Sequence, residues 1–412
     1  MTQLDPESRE KSLERQIRAF HWVRWLSELP ERRAGGDGER EAARRLESWL
    51  REQGFTEVAQ ATAPSRPERG LVIALHAGLA AVGCLLGGPL GFALAALAVV
   101  AYRHERTGGV AWLSRWLPAP DCTWVAARAG AARPRRRIVL SAPLDAPRAG
   151  RLFASDARRL RLGPAGAARV AAPAGLDAWI SRLLFAAAVA LAASALGAGG
   201  VAVQLVLGAL ALACGVATAA GLEWARAPAS PGAVSASAVA ALLTCGEQLL
   251  AQLREDEELW LVGAGGQEPG ACGLRAFLDA HAGELARDTL FVHFERCGGS
   301  ALARVAAEVG LARCAHPPRL AELARRVAES GAYGDIGSVE WIGATGAADV
   351  AARGLPLLSL VALDAQGLPG RDHQMADLPE SVDTASIVRA ADFAAAVVEA
   401  ARRGEDAPLA IV

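Results

Sequence analysis

Two stretches of this chain are too long and too poor in charge to be ordinary core segments. From Leu71 to Tyr102 the only ionisable side chains are His76, Cys84 and Tyr102, and Leu183 to Leu222 carries no charged residue. At about 1.5 Å per helical residue, each run exceeds one crossing of a bilayer core of roughly 30 Å. Each therefore reads as a hairpin, broken at Gly87, Gly88 and Pro89 in the first and at Gly197 to Gly200 in the second. Four spans result, over 71–102 and 178–222. Their flanks carry Arg66, Arg69, Arg103 and Arg106 around the first hairpin and Arg158, Arg159, Arg161, Arg182 and Arg226 around the second. The positive-inside rule puts these flanks in the cytoplasm, making the chain an integral protein of the inner or plasma membrane. Trp112, Trp116, Trp179 and Trp224 lie near the ends, where indole rings favour the interface. Small residues at helical spacing, Ala186, Ala190 and Ser194 and again Gly208, Ala211 and Gly215, would let the helices approach closely. The competing reading is that these are buried helices of a soluble protein.

The first thirty residues hold many charges and no apolar h-region, so no cleavable signal peptide is expected. Over 412 residues, 43 basic and 44 acidic side chains nearly cancel, which excludes a global electrostatic footprint for nucleic acid. An apolar fraction of 52% excludes disorder as the main state. The seven cysteines show neither C-x-x-C spacing nor a disulfide pattern, which fits a reducing compartment.

Outside the hairpins, short apolar or β-branched runs alternate with longer helical patterns, implying an α/β sheet with parallel character. The expected strands are 123–129, 137–144, 259–264, 289–295 and 357–363. The expected helices are 38–53, 235–253, 273–282, 319–330 and 383–403, the last with Asp383 as N-cap. Asp256 to Glu258 and the arginines 135–137 read as solvated strand ends. Residues 1–70, 103–177 and 223–412 would then form one discontinuous domain around the hairpins.

Several local phrases, in order, resemble the co-catalytic zinc aminopeptidases, a family that includes leucyl aminopeptidases, glutaminyl cyclases and the peptidase-like domain of transferrin receptor. Leu29 to Gly38 resembles its N-terminal segment, and Ile138 to Asp145 its strand bearing H-x-D. Pro231 to Leu243 resembles the helix start G-A-N-D-N-A-S-G-V, Leu261 to Gly273 the strand and turn bearing E-E-x-G-x-x-G, and Phe291 to Gly298 the strand with a ligand aspartate. Gly354 to Pro356, Asp372-His373, Asp377 and Val382-Asp383 resemble the closing segments. The resemblance implies a mixed, largely parallel sheet flanked by helices, with the two hairpins as insertions.

It also implies a pair of zinc ions about 3.5–4 Å apart, which needs a bridging carboxylate. At the family's ligand positions this chain carries Pro143 for the first histidine, Val234 or Ser235 for the bridging aspartate, Glu268 for the glutamate, Glu295 for the aspartate and His373 for the last histidine. Gln267 stands at the general-base position, and Asp145 keeps the orienting aspartate with no histidine to orient. Proline, valine and serine cannot replace those ligands, and an amide cannot take a proton from a metal-bound water near neutral pH. Zinc, if bound at all, is expected at low occupancy or as a single ion held by Glu268, Glu295 and His373.

Each survivor has a structural role to offer instead: Asp145 as a cap or a partner of Arg148, Glu268 as a backbone acceptor at its turn, Glu295 as a partner of Arg296, and His373 at the surface. His293 is expected to pack away from the site, and Cys314 with His316 lacks further ligands. No phosphate loop or G-x-S-x-G elbow is present. The sequence therefore favours a membrane-anchored pseudopeptidase whose former pocket holds a peptide or protein ligand. The alternatives are an aminopeptidase-like hydrolase with a mononuclear site and, less favoured, a transport subunit. Against the last of these stands the lack of intramembrane charges other than His76, because pathways usually need polar lining.

Overall fold

The computed structural model describes residues 6–30, 32–107, 111–150, 169–171, 174–198, 200–223, 230–285, 288–309, 311–343 and 345–404. Arg158, Arg159, Arg161, Trp224 and Arg226 lie outside them.

A sheet of ten strands organises the α/β part. Its strands are β1 (Glu57–Pro64), β2 (Asp121–Gly130), β3 (Arg136–Pro143), β4 (Arg169–Ala171), β5 (Glu257–Ala264), β6 (Leu290–Phe294), β7 (Ala301–Val309), β8 (Arg313–Ala315), β9 (Gly337–Ile342) and β10 (Leu357–Leu363). The order is β1-β2-β5-β3-β6-β10-β7-β9-β4, with β8 paired to β7. The central run β5-β3-β6-β10 is parallel. Beyond it, β2 and β7 pair antiparallel, so the sheet is mixed.

The five strands expected from sequence all form. β1 and β7 were not expected, because their runs mix alanine with charged or polar residues and lack β-branched density, nor was β9, whose six residues include Gly337, Ser338 and Glu340. Side chains along β5 alternate between two cores, as a pleated strand requires. Leu259 and Leu261 join Leu46 and Val239 on one face, whereas Trp260 and Val262 join Trp124 and Phe277 on the other.

Helices α1 (Pro6–Glu28), α2 (Asp37–Glu52), α7 (Ala233–Ala251) and α11 (Thr384–Gly404) cover the first face; α8 (Cys272–Ala280) and α10 (Gly346–Ala352) cover the second. Helix α9 (Pro318–Glu329) packs Leu320 and Ala324 into the first core. Asp383 caps α11 as expected, its Oδ1 accepting from the amides of Ala385 and Ser386 at 3.0 and 3.3 Å.

Of the charged strand ends, Arg135 and Asp256 are exposed as expected, but the residues beside them are not. Glu257 is buried between Arg136 and Arg402 at 3.1 and 2.7 Å, and Glu258 pairs with Arg137 at 2.6 Å. Charges at this depth persist because they are mutually compensated.

The hairpins form a four-helix bundle of α3 (Arg69–Leu86), α4 (Gly88–Arg106), α5 (Ala174–Ala195) and α6 (Val201–Glu223). Gly87 and Gly88, at φ 66° and 60°, make the first turn in a region that glycine adopts freely. Of the two small-residue stripes, Gly208, Ala211 and Gly215 does face a neighbour: a Cβ at 208 would lie 2.5 Å from that of Cys84, and one at 215 would lie 2.3 Å from that of Ala77. On α5 the buried face is Leu184, Ala187, Ala188 and Leu191, one position away from the expected stripe of Ala186, Ala190 and Ser194.

Four helices among the described residues are long and apolar enough to cross a membrane: α3, Ala178–Ala195 within α5, Val201–Ala220 within α6, and α7. This set differs from the expected one. The last turn of α4 carries Arg103, Glu105 and Arg106, leaving about 15 apolar residues, or roughly 22 Å. α7 qualifies by composition, yet 78% of its window is buried against 28% for α6, because it lies beneath the sheet. Around the bundle, Leu85, Leu90, Phe185, Val201, Val203 and Val206 point outward and exposed. A contiguous apolar surface of that kind marks a membrane or a partner.

Candidate active site

The parallel centre brings the carboxyl ends of β3, β5 and β6 side by side, the place where open α/β sheets bind ligands. Asp145 follows β3, Gln267 and Glu268 follow β5, and Glu295 and Arg296 follow β6. The loop carrying Asp372, His373 and Asp377 closes over them, and the start of α7 forms the floor. That start needs Gly232: its φ is +67°, and a Cβ there would lie 2.5 Å from Ala146 Cβ and 2.7 Å from Arg32 Nη2. Arg32 donates to the carbonyls of Leu144 and Gly232 at 2.8 and 2.6 Å, tying the β3 end to the α7 start.

At the centre is Arg296, which is buried. Its Nη2 donates to Glu268 Oε1 at 2.9 Å, its Nε lies 2.6 Å from Asp372 Oδ2, and its Nη1 is paired with Glu295 Oε1. Burial works against the charged guanidinium, but Asp372 and Glu268 outweigh it and hold its pKa above the ordinary value. The ring of Trp341 lies 5.7 Å from it.

The other oxygen of Glu295 accepts from Gln267 Nε2 at 3.1 Å and lies 3.1 Å from His293 Nε2. His293 thus shares the Glu295 side of the strand, against the expectation that it packs away from the site, as residues two apart in a strand must. Its Nδ1 lies 2.8 Å from Ser141 Oγ. Burial, with help from His316 and Arg296, lowers its pKa to about 3, so it is neutral.

Asp145 does not pair with Arg148. Its two oxygens accept from the backbone amides of Gln267 and Glu268, at 2.9 and 3.2 Å. Burial and then the nearby Glu268 raise its pKa to about 6, against the lowering effect of those amides. Arg148 is held by Glu68 instead. His373 is not a surface residue: its Nε2 lies 3.3 Å from Glu268 Oε2, with the backbone at a left-handed φ of 61°. Glu268 is likewise held by Arg296 and His373, not by its own turn.

Pro143 ends β3 and offers no donor. Val234 donates its amide to Asp377 Oδ1 at 3.0 Å, and the Ser235 hydroxyl donates to the Asp145 carbonyl at 2.7 Å, so neither supplies a bridging charge.

Three buried acids escaped the sequence reading as site residues: Glu39, Asp372 and Asp377. Glu39 accepts from the amides of Thr123 and Gly266 at 2.8 and 3.0 Å, and burial followed by Asp145 raises its pKa to about 8. Burial and then Asp372 raise Asp377 to about 7. The closing segment around Asp372-His373 was the only signal for the latter two.

No protein-family model matches the chain, and no curated protein matches it. Solved structures do. The LapA aminopeptidase of Legionella pneumophila aligns at a TM-score of 0.53 and 9% identity, over 97% of this chain and 74% of its own. The glutaminyl cyclase of Tannerella forsythia aligns at 0.54 and 11%, over 93% and 97%. A Zn-dependent exopeptidase of Parabacteroides distasonis aligns at 0.50 and 11%, over 93% and 96%. The chain has the zinc-aminopeptidase and glutaminyl-cyclase fold.

One of these neighbours is Zn-dependent. Here Glu268 and Glu295, the carboxylates that the resemblance sets at ligand positions, both contact the Arg296 guanidinium, so a cation of the protein's own stands between them. Among the described residues no group of three or more His, Cys, Asp or Glu side chains could hold a metal ion. Beside Glu268 and His373 opens a cleft that reaches to Arg33, Arg66, Arg69 and Arg148.

Proposed function

We propose that this chain is a membrane-anchored, non-catalytic member of the aminopeptidase fold, in which the former active-site cleft binds a ligand without hydrolysing it. Residues 1–70, 103–177 and 223–412 form its one discontinuous α/β domain, and 71–102 and 178–222 are the bilayer hairpins. A single sheet drawing β1, then β2 to β4, then β5 to β10 from those three segments supports the first point. The outward apolar faces of α3 to α6 support the second. The arginine-rich flanks, as a positive-inside signal, favour a cytoplasmic α/β domain in an inner or plasma membrane.

The observation that carries the non-catalytic reading is Arg296. A buried guanidinium neutralises the carboxylates a metal would need, and Gln267 at the general-base position donates its amide to Glu295. The test is metal analysis of the detergent-purified chain alongside an aminoacyl-anilide hydrolysis assay. The expected result is no stoichiometric zinc and no chelator-sensitive turnover. Near-stoichiometric zinc with hydrolysis, both lost in His373→Ala, would establish the mononuclear hydrolase instead.

A further inference from the structure

The cleft beside Glu268 and His373 takes its charge from arginines on separate segments. Arg33 follows α1, Arg66 and Arg69 stand just before and at the first residue of α3, and Arg148 lies in the loop after β3. Among the described residues, two carboxylates line the cleft beside these guanidinium groups, Glu68 paired with Arg148 and Glu268 with Arg296. Burial, followed by Arg275, lowers the pKa of Arg66. Arg66 also donates to the Glu105 carbonyl at the end of α4, at 2.8 Å. The cleft is thereby fastened to the same end of both helices of the first hairpin.

Guanidinium forks match the oxygens of carboxylate and phosphate, but a phosphoryl group can be gripped from several sides at once, as arginines on separate segments would do. Helix ends of a membrane hairpin lie at head-group depth, where basic pockets take anionic lipids. We propose that this cleft binds a phosphoryl anion. The assignment rests on the membrane-anchored, non-catalytic reading above, and on that reading the anion is the phosphomonoester head group of a lipid.

The test titrates the full chain in uncharged detergent with dihexanoyl phosphatidic acid, dihexanoyl phosphatidylcholine and glycerol 3-phosphate, following binding by calorimetry. Phosphatidic acid should bind saturably and well above the other two. Arg33→Gln and Arg69→Gln should each weaken it about tenfold, and Arg135→Gln, at an exposed position before β3 and so at the opposite end of that strand from the Arg148 loop, should leave it unchanged. Thermal melting identifies any variant that fails to fold, and either arginine then answers for the other. Equal binding of glycerol 3-phosphate would keep the phosphoryl assignment and overturn the lipid source. Equal binding of phosphatidylcholine, or phosphatidic acid binding indifferent to both arginines, would overturn the proposal. Zinc content and hydrolysis are read separately, so failure of the non-catalytic reading is distinguishable from failure of this one.

Discussion

At the carboxyl ends of β3, β5 and β6, buried polar groups are numerous and held by opposite charges, as Arg296 shows with Glu268, Glu295 and Asp372. Inside the bundle of α3 to α6 they are sparse. There Gln204 donates to the Cys84 carbonyl at 2.5 Å, and close contact of small residues does most of the joining. The first region is held by charge compensation, which fails badly when one partner is removed. The second is held by shape, which fails when volume is added.

Removing the central cation should break this contrast most sharply. Arg296→Leu strands the buried carboxylates of Glu295 and Asp372 and the half-buried one of Glu268, and is expected to cost about 3–5 kcal/mol, seen as a lower denaturant midpoint of the α/β part. The exposed Arg325→Ala, whose partners Glu322 and Glu329 are solvated, should leave the midpoint almost unmoved in the same assay. Gly215→Leu should cost about 1–3 kcal/mol by overpacking against Ala77, measured as a lower melting temperature in detergent, with the α/β transition unmoved.

The buried acids predict a pH effect confined to the first region. Asp377, raised to about 7, and Glu39, raised to about 8, bind more protons folded than unfolded between their ordinary carboxyl values and those limits. Their stabilisation is therefore present at low pH and lost as pH rises through the folded values. His293, lowered to about 3, acts oppositely, but only between about pH 3 and 6.5. From pH 6.5 to 8 stability should fall, and Asp377→Asn should remove about 1 kcal/mol of that fall, checked by denaturation at the two pH values. The smallest effect is expected for Gln204→Leu: about 0.6 kcal/mol, from a melting curve in detergent.

Much of the fold was legible in particular residues. The β-branched and apolar runs of β3, β5 and β10 announce central strands because such strands are buried on both faces. β7 escaped because Ala301 to Val309 intersperses alanine with Arg304 and Glu308, and nothing local reveals that Glu308 is buried against Thr345. In the site, the missing ligands at Pro143 and at Val234 or Ser235 could be read residue by residue. The side of the strand that His293 takes could not be read without fixing the face Glu295 uses. The reading of 235–253 as a helix of the α/β part, apart from the apolar hairpins, agrees with the burial of α7, 78% of its window against 28% for α6.

Composition and order alone set out two apolar hairpins within an α/β pattern, and named Glu268, Glu295 and His373 as the side chains to look for. These are local properties, written in which residue types follow one another. Only the tertiary structure decided that one guanidinium reaches Glu268, Glu295 and Asp372 together, because these residues lie far apart in the chain. It also decided which apolar helix lies beneath the sheet and which present exposed faces, since burial depends on what packs around a helix as well as on its own residues.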